Sequence, residues 1–267
     1  MQNLVVNGCS FTQETDYTKS WATFLNNKIK PNSYLNLAQA GAGNKFICDS
    51  TITLLETQNI DPTNTLIIVM WSGVGRKDLH ISKTWFDYLK EDYPFLCEEW
   101  IPTEEVIKYD KELVNNNVHS YYLHSGGLTC WSEHKETKKI FNELYKTSDA
   151  QSDCIENLLF FIQLESYLKQ NNYKFVFTNY YNPWSKDNEL TKNNDYSIGY
   201  HCSGMPIYEN FDLKHWWFID NEKKCLGEFA IDLNHLEDDG FHPDKTGHSK
   251  FADILYSHIL DNKFHMQ

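Results

Sequence analysis

Three residues of this chain have the types and spacing for acyl-transfer chemistry: Ser10, Asp239 and His242. Ser10 lies in "NGCSFT" (Asn7–Thr12), where the short apolar run Asn3–Gly8 ends. A serine hydroxyl is a weak nucleophile and needs a base to take its proton. The far end of the chain offers one in "DDGFHP" (Asp238–Pro243), with Asp239 three residues before His242. In a turn, that spacing lets the carboxylate reach one ring nitrogen, fixing the tautomer and stabilising the imidazolium. Each piece also has a plainer reading. A serine behind a glycine is often only a turn. "DDGFHP" also reads as a helix entry, with Asp244 or Thr246 as the cap and Pro243 disfavouring helix before it. Cys9 is a competing nucleophile, although a residue beside Gly8 at a strand end points into the core. Asp238 is solvated, or replaces Asp239 if the turn is shifted by one residue.

Bringing residues 10 and 242 together requires a particular order of elements. "NLVVNG" (Asn3–Gly8), "YLNLA" (Tyr34–Ala38), "LIIVMW" (Leu66–Trp71) and "YKFVFT" (Tyr173–Thr178) read as strands. Trp21, Phe24, Leu25 and Ile29 fall at helical spacing, as do Phe46, Ile47, Leu54 and Leu55. Ile155, Leu158, Leu159 and Ile162 mark a third helix, and Phe251, Ala252, Leu255, His258 and Ile259 a last one. Strand and helix alternating in this way predict an α/β fold, a parallel sheet with helices on both faces. Ligands then bind beyond the carboxyl ends of the strands. Ser10 would stand there, and so would "AQAGAGN" (Ala38–Asn44) and "WSGVGR" (Trp71–Arg76). The glycines of the former allow backbone N–H groups near a ligand, at a helix start whose dipole favours negative charge. The spans of about 77–153 and 183–236, rich in aromatic residues, interrupt the rhythm. They read as large insertions on one domain covering 1–267. Rings in "KTWFDYLKEDYPFLCEEW" and "HSYYLHSGGLTCW" fit a sugar-binding cleft or the packing of a small cap.

The blocks Asn7–Thr12, Asn36–Asn44, Leu66–Arg76 and Asp238–Gly247 together resemble the SGNH (GDSL-type) hydrolases. The resemblance implies a three-layer flavodoxin-like fold and ester-hydrolysing chemistry, with no metal or organic cofactor. Ser10 matches the family's nucleophile, Gly41 its glycine oxyanion donor, and Asp239 and His242 its D-x-x-H pair. Cys9 stands where the GDS motif has aspartate. In the third block the family carries Gly-x-Asn-Asp, whose asparagine donates to the oxyanion, but Gly73 takes that position here. A missing donor costs on the order of 10²–10³ in rate. The Ser72 hydroxyl and the Asn44 amide are the candidates to replace it, although an asparagine at residue 44 would also cap its helix. Arg76 is a candidate to hold a substrate carboxylate or sugar hydroxyl, or to form a structural salt bridge. The cysteine before the serine and the "WSGVGR" segment are most similar to variants in phage-encoded or environmental proteins.

Composition narrows the partners. A formal net charge of −13 opposes binding to nucleic acid or to an anionic membrane surface. The start lacks a basic region followed by a long apolar run, and no stretch approaches a membrane span. The expected location is therefore cytoplasmic, or virion-associated if phage-encoded. Seven scattered cysteines without a C-x-x-C pair argue for reduced thiols. A zinc site from Cys202 with His201 or His215 lacks the usual spacing, and His119, His124 and His134 are spaced too loosely for a metal. The expected activity is a serine esterase removing a small acyl group, such as acetyl, from a carbohydrate or other small polar molecule. The alternatives are acyl transfer to a sugar by the same triad, and a non-catalytic carbohydrate-binding module on a degenerate scaffold. The sequence leaves the oligomeric state open.

Overall fold

The computed structural model describes residues 3–14, 19–58, 60–82, 84, 121–125, 135–184, 197–220, 224–262 and 264. Its centre is strand β3 (Thr65–Trp71), apolar after the first residue and buried at every position. A strand covered on both faces must read this way. On one side β3 pairs in parallel with β1 (Asn3–Asn7), which pairs in parallel with β2 (Ser33–Asn36). On its other side lies β6 (Lys174–Asn179), also parallel. The order β2-β1-β3-β6 is the flavodoxin-like order through four strands. A fifth position is reduced to one parallel bridge between Phe177 and Trp216, where Trp217 N–H donates to the Phe177 carbonyl at 2.7 Å.

Helices flank both faces. The helix α1 (Trp21–Ile29) packs on α6 (Lys245–Asp261), and α2 (Asn44–Thr57) packs on α4 (Ala150–Gln170). The core is rich in rings. Trp71 meets Phe161 of α4 at 4.6 Å, and Trp21 meets Phe251 of α6 at 5.8 Å between centroids.

The two interrupting spans hold more regular structure than the sequence rhythm suggests. In the first, β4 (Asp78–Ile81) pairs antiparallel with β5 (Tyr121–His124). The helix α3 (Lys135–Thr147) follows, and α4 already begins at Ala150. Charged residues dominate α3 and hide its apolar members, of which Phe141 is fully buried. The second span contains single-turn helices at Ile198–His201 and Pro206–Glu209, then α5 (Leu226–Asp232). The aromatic run at 85–100, with His119, His134, Cys97 and Cys130, lies outside the described residues.

One buried histidine fastens α6 to α1. His248 Nδ1 accepts the Trp21 N–H at 3.2 Å. Burial above all, and then the nearby His242, pulls its pKa down to about 4. The unfolded chain therefore binds a proton at this residue between about pH 6.5 and 4, where the folded protein does not. Its contribution to stability is complete above that window and is lost as the pH falls through it. At 1.36 kcal/mol per pKa unit the loss amounts to about 3 kcal/mol. Urea midpoints measured across this range should drop steeply for the native sequence and less steeply for His248→Gln. Equal slopes would remove His248 from the acid response.

Candidate active site

The loop before α6 delivers two side chains together. Leu236 and Pro243 form an antiparallel bridge, and Glu237 N–H donates to the His242 carbonyl at 2.8 Å. Gly240 turns the chain at φ +68, a conformation that other residues adopt only with strain. Asp239 Oδ1 accepts the N–H groups of Phe241 (2.8 Å) and His242 (2.9 Å). Its Oδ2 is then aimed at His242 Nδ1, at 2.6 Å. Partial burial pushes the Asp239 carboxyl up. The hydrogen bonds from the His242 ring and the two backbone groups outweigh this and hold it below the usual range. Asp238 is exposed and accepts no hydrogen bond among the described residues. Asp244 caps α6 through Gly247 N–H at 2.7 Å. The segment therefore both caps α6 and sets the Asp239 carboxylate against the His242 ring.

At the end of β1 the chain turns sharply, with Thr12 and Gln13 N–H both donating to the Cys9 carbonyl. The turn lifts Ser10 into partial exposure, and its Oγ lies 2.8 Å from His242 Nε2. Ser10, His242 and Asp239 thus form one continuous run of hydrogen bonds. Cys9 points the other way and is fully buried, against the Arg76 guanidinium. The Phe11 ring packs on the His242 ring at 4.9 Å, with Phe241 edge-on to it at 5.3 Å.

The loop after β2 lies beside this turn. Gln39 N–H donates to the Gly8 carbonyl at 3.2 Å, and Ala40 N–H to Gln13 Oε1 at 2.7 Å. Ala42 N–H closes a turn on the Gln39 carbonyl, with Gly41 between them at φ +75. Among the described residues, no acceptor takes the N–H of Gly41 or of Ser10. Both remain available to a developing oxyanion.

Of the other expected donors, the Asn44 amide is committed elsewhere, while the Ser72 hydroxyl keeps its own hydrogen to donate. Both hydrogens of the Asn44 amide are used, on the Ser72 carbonyl (3.1 Å) and on Asn157 Oδ1 (2.6 Å), and its oxygen accepts the Ser72 N–H. Asn44 is not its helix's cap either, since Gly43 holds that position. Ser72 is buried and its Oγ accepts from Arg76 Nη1 at 3.0 Å. Arg76 also donates to the Ala42 carbonyl at 3.3 Å and lies over the Tyr180 ring at 5.4 Å. It makes no salt bridge with a carboxylate among the described residues. These contacts brace the ends of β2 and β3. At Gly73 a side chain would collide with Tyr180, whose hydroxyl lies 2.6 Å from where its Cβ would stand.

The start of α2 is also occupied. Its cap position, Gly43, has no side chain, and Asp78 of β4 supplies the carboxylate from outside the helix. Asp78 accepts Gly43 N–H through Oδ1 and Phe46 N–H through Oδ2, each at 2.8 Å. A Cβ on Gly43 would meet Oδ2 at 2.8 Å, so glycine is what permits the approach. The dipole of this helix consequently acts on Asp78 and not on a ligand. Sequence reasoning missed Asp78. The available signal was a glycine where serine, threonine, aspartate or asparagine usually caps.

Among the described residues, no three metal-ligating side chains come together, no disulfide forms, and no helix is long and apolar enough to cross a membrane. No family model matches the chain, and no curated protein aligns with it significantly. Solved structures do match. A Bacillus subtilis protein superposes with a TM-score of 0.50 at 11% identity, over 98% of this chain and 57% of its own. The chain shares that fold. A lipase from goat rumen metagenome is similar at a TM-score of 0.47 and 11% identity, over 96% of this chain and 97% of its own. So is a psychrotrophic esterase from Pseudoalteromonas sp., in a structure inhibited by monoethylphosphonate. It gives a TM-score of 0.48 at 12% identity, over 98% and 99% of the two chains.

Proposed function

We propose that the protein is a serine ester hydrolase of the SGNH type. The observation that carries the reading is the run of hydrogen bonds from Ser10 Oγ to His242 Nε2 and from His242 Nδ1 to Asp239 Oδ2. Ser10 Oγ attacks the ester carbonyl as Nε2 takes its proton. The carbonyl π electrons move onto oxygen, where the Ser10 and Gly41 N–H groups stabilise them. As the carbonyl re-forms, the C–O bond to the alcohol breaks and Nε2 gives that alcohol its proton. Water repeats the sequence on the acyl-serine. Asp239 holds the productive tautomer and offsets the imidazolium charge throughout.

The substrate proposed is a small acyl ester, such as an acetyl ester, of a carbohydrate or another small polar alcohol. The Phe241 ring is part-exposed beside His242, where the leaving alcohol collects its proton, and a flat apolar ring suits a sugar face. Hydrolysis is favoured over transfer because the His242 side chain is 35% exposed, which lets water reach the ring once the alcohol has left.

Hydrolysis of 4-nitrophenyl acetate together with labelling by a fluorophosphonate, located by mass spectrometry, tests the assignment. The expected result is turnover and a single adduct on Ser10. Slow hydrolysis with faster transfer to added sugar would make the protein an acyltransferase. No turnover and no adduct would leave a binding module on a hydrolase scaffold.

A further inference from the structure

A second histidine–aspartate pair lies buried behind the Gly41 loop. His124, at the end of β5, places Nδ1 2.8 Å from Asp78 Oδ1, with the side chains 4% and 1% exposed. Its Nε2 lies 2.9 Å from Gln39 Oε1, and the Phe46 ring packs against it edge-on at 4.8 Å. Asp78 meanwhile holds the N–H groups of Gly43 and Phe46. The residues two before and two after Gly41 are therefore fastened to one rigid pair, Gln39 by its side chain and Gly43 by its backbone.

The loop is otherwise held by Gln39 N–H on the Gly8 carbonyl, Ala40 N–H on Gln13 Oε1 and Arg76 Nη1 on the Ala42 carbonyl, none of which involves Gly41 itself. The loop has no regular structure, and within it only the turn from Ala42 N–H to the Gln39 carbonyl, at 3.2 Å, closes on Gly41. An oxyanion donor is effective only when it sits about 2.7–3.1 Å from the place where charge develops. A displacement of about 1 Å costs on the order of 10²-fold in rate. The acyl-transfer steps described above make no use of His124 or Gln39.

We propose that His124, oriented by Asp78, is a positioning residue that acts through Gln39 to aim the Gly41 N–H at the oxyanion. One histidine–aspartate pair moves the proton of the nucleophile, and the other sets the peptide that receives the negative charge. The β4–β5 hairpin is, on this reading, a part of the catalytic frame.

The proposal rests on the Ser10 hydrolase reading, and one set of variants separates the two. Gln39→Ala cuts the link while leaving the His124–Asp78 pair in place. Gln39→Glu restores an oxygen for His124 Nε2. With 4-nitrophenyl acetate, Gln39→Ala should lose about 10- to 100-fold in kcat with KM within about twofold, as for partners that orient a working group. Its thermal midpoint should stay close to that of the native protein, and Gln39→Glu should recover most of the rate. His124→Gln should lose kcat to a similar extent. Native kcat in Gln39→Ala, or a loss that Gln39→Glu fails to recover, overturns the proposal while Ser10 labelling of the native protein stands. A native protein that neither turns over nor labels at Ser10 removes the hydrolase reading, and this proposal with it.

Discussion

Ser10→Ala is expected to lower kcat by roughly 10⁴-fold or more, the effect of removing a triad nucleophile. At 1.36 kcal/mol per decade this is about 5 kcal/mol of transition-state stabilisation. The fold should not notice. Ser10 is part-exposed, lies outside the core, and loses one hydrogen bond, to His242. Steady-state kinetics on 4-nitrophenyl acetate beside a thermal melt would read both quantities. Near-native turnover in this variant, with Cys9→Ala inactive at equal stability, would hand the role to the thiol. The geometry points away from that, because Cys9 is fully buried and turned toward Arg76.

The second large effect concerns the orienting carboxylate. Asp239→Asn should cost up to about 10⁴ in kcat, because an amide N–H facing His242 Nδ1 favours the wrong tautomer. The loss is compounded locally. Asp239 Oδ1 also accepts two backbone N–H groups, so an amide that rotates its nitrogen away from the ring turns a donor toward those donors. Asp238→Asn, at an exposed residue that accepts nothing among the described residues, should stay within about threefold of native. The reverse ranking would mean that the loop register is displaced by one residue.

The sheet was legible in the sequence because the apolar runs at Leu4–Val6, Leu66–Trp71 and Phe175–Phe177 could only be buried strands. The Ser10 turn and the D-x-x-H loop were legible for a different reason: each is local, and residue type and spacing alone define it. What the sequence withheld were pairings across long separations. Asn44 looked like a cap or an oxyanion donor, yet it bonds the Ser72 backbone and Asn157, which is 113 residues away. Asp78, His124 and Gln39 come from three separate segments and show no spacing pattern at all. Gly73 read as a missing donor. A Cβ there would stand 2.6 Å from the Tyr180 hydroxyl, a contact that no local pattern announces. The helix Lys135–Thr147 escaped notice because its few apolar residues are diluted by charge.

The two hydrogen bonds of the Ser10–His242–Asp239 run differ in reach. One spans three residues and the other 232. The short one moves with its loop as a single body, so it survives any shift of that loop relative to the sheet. The Ser10–His242 contact therefore depends on the seating of α6 on α1, in which His248, Trp21 and Phe251 take part. Loosening of this seam would draw His242 Nε2 away from Ser10 Oγ and lower turnover. Catalytic rate then becomes a gauge of one interface, and substitutions in that seam, far from any reacting atom, would tune the working temperature of the protein.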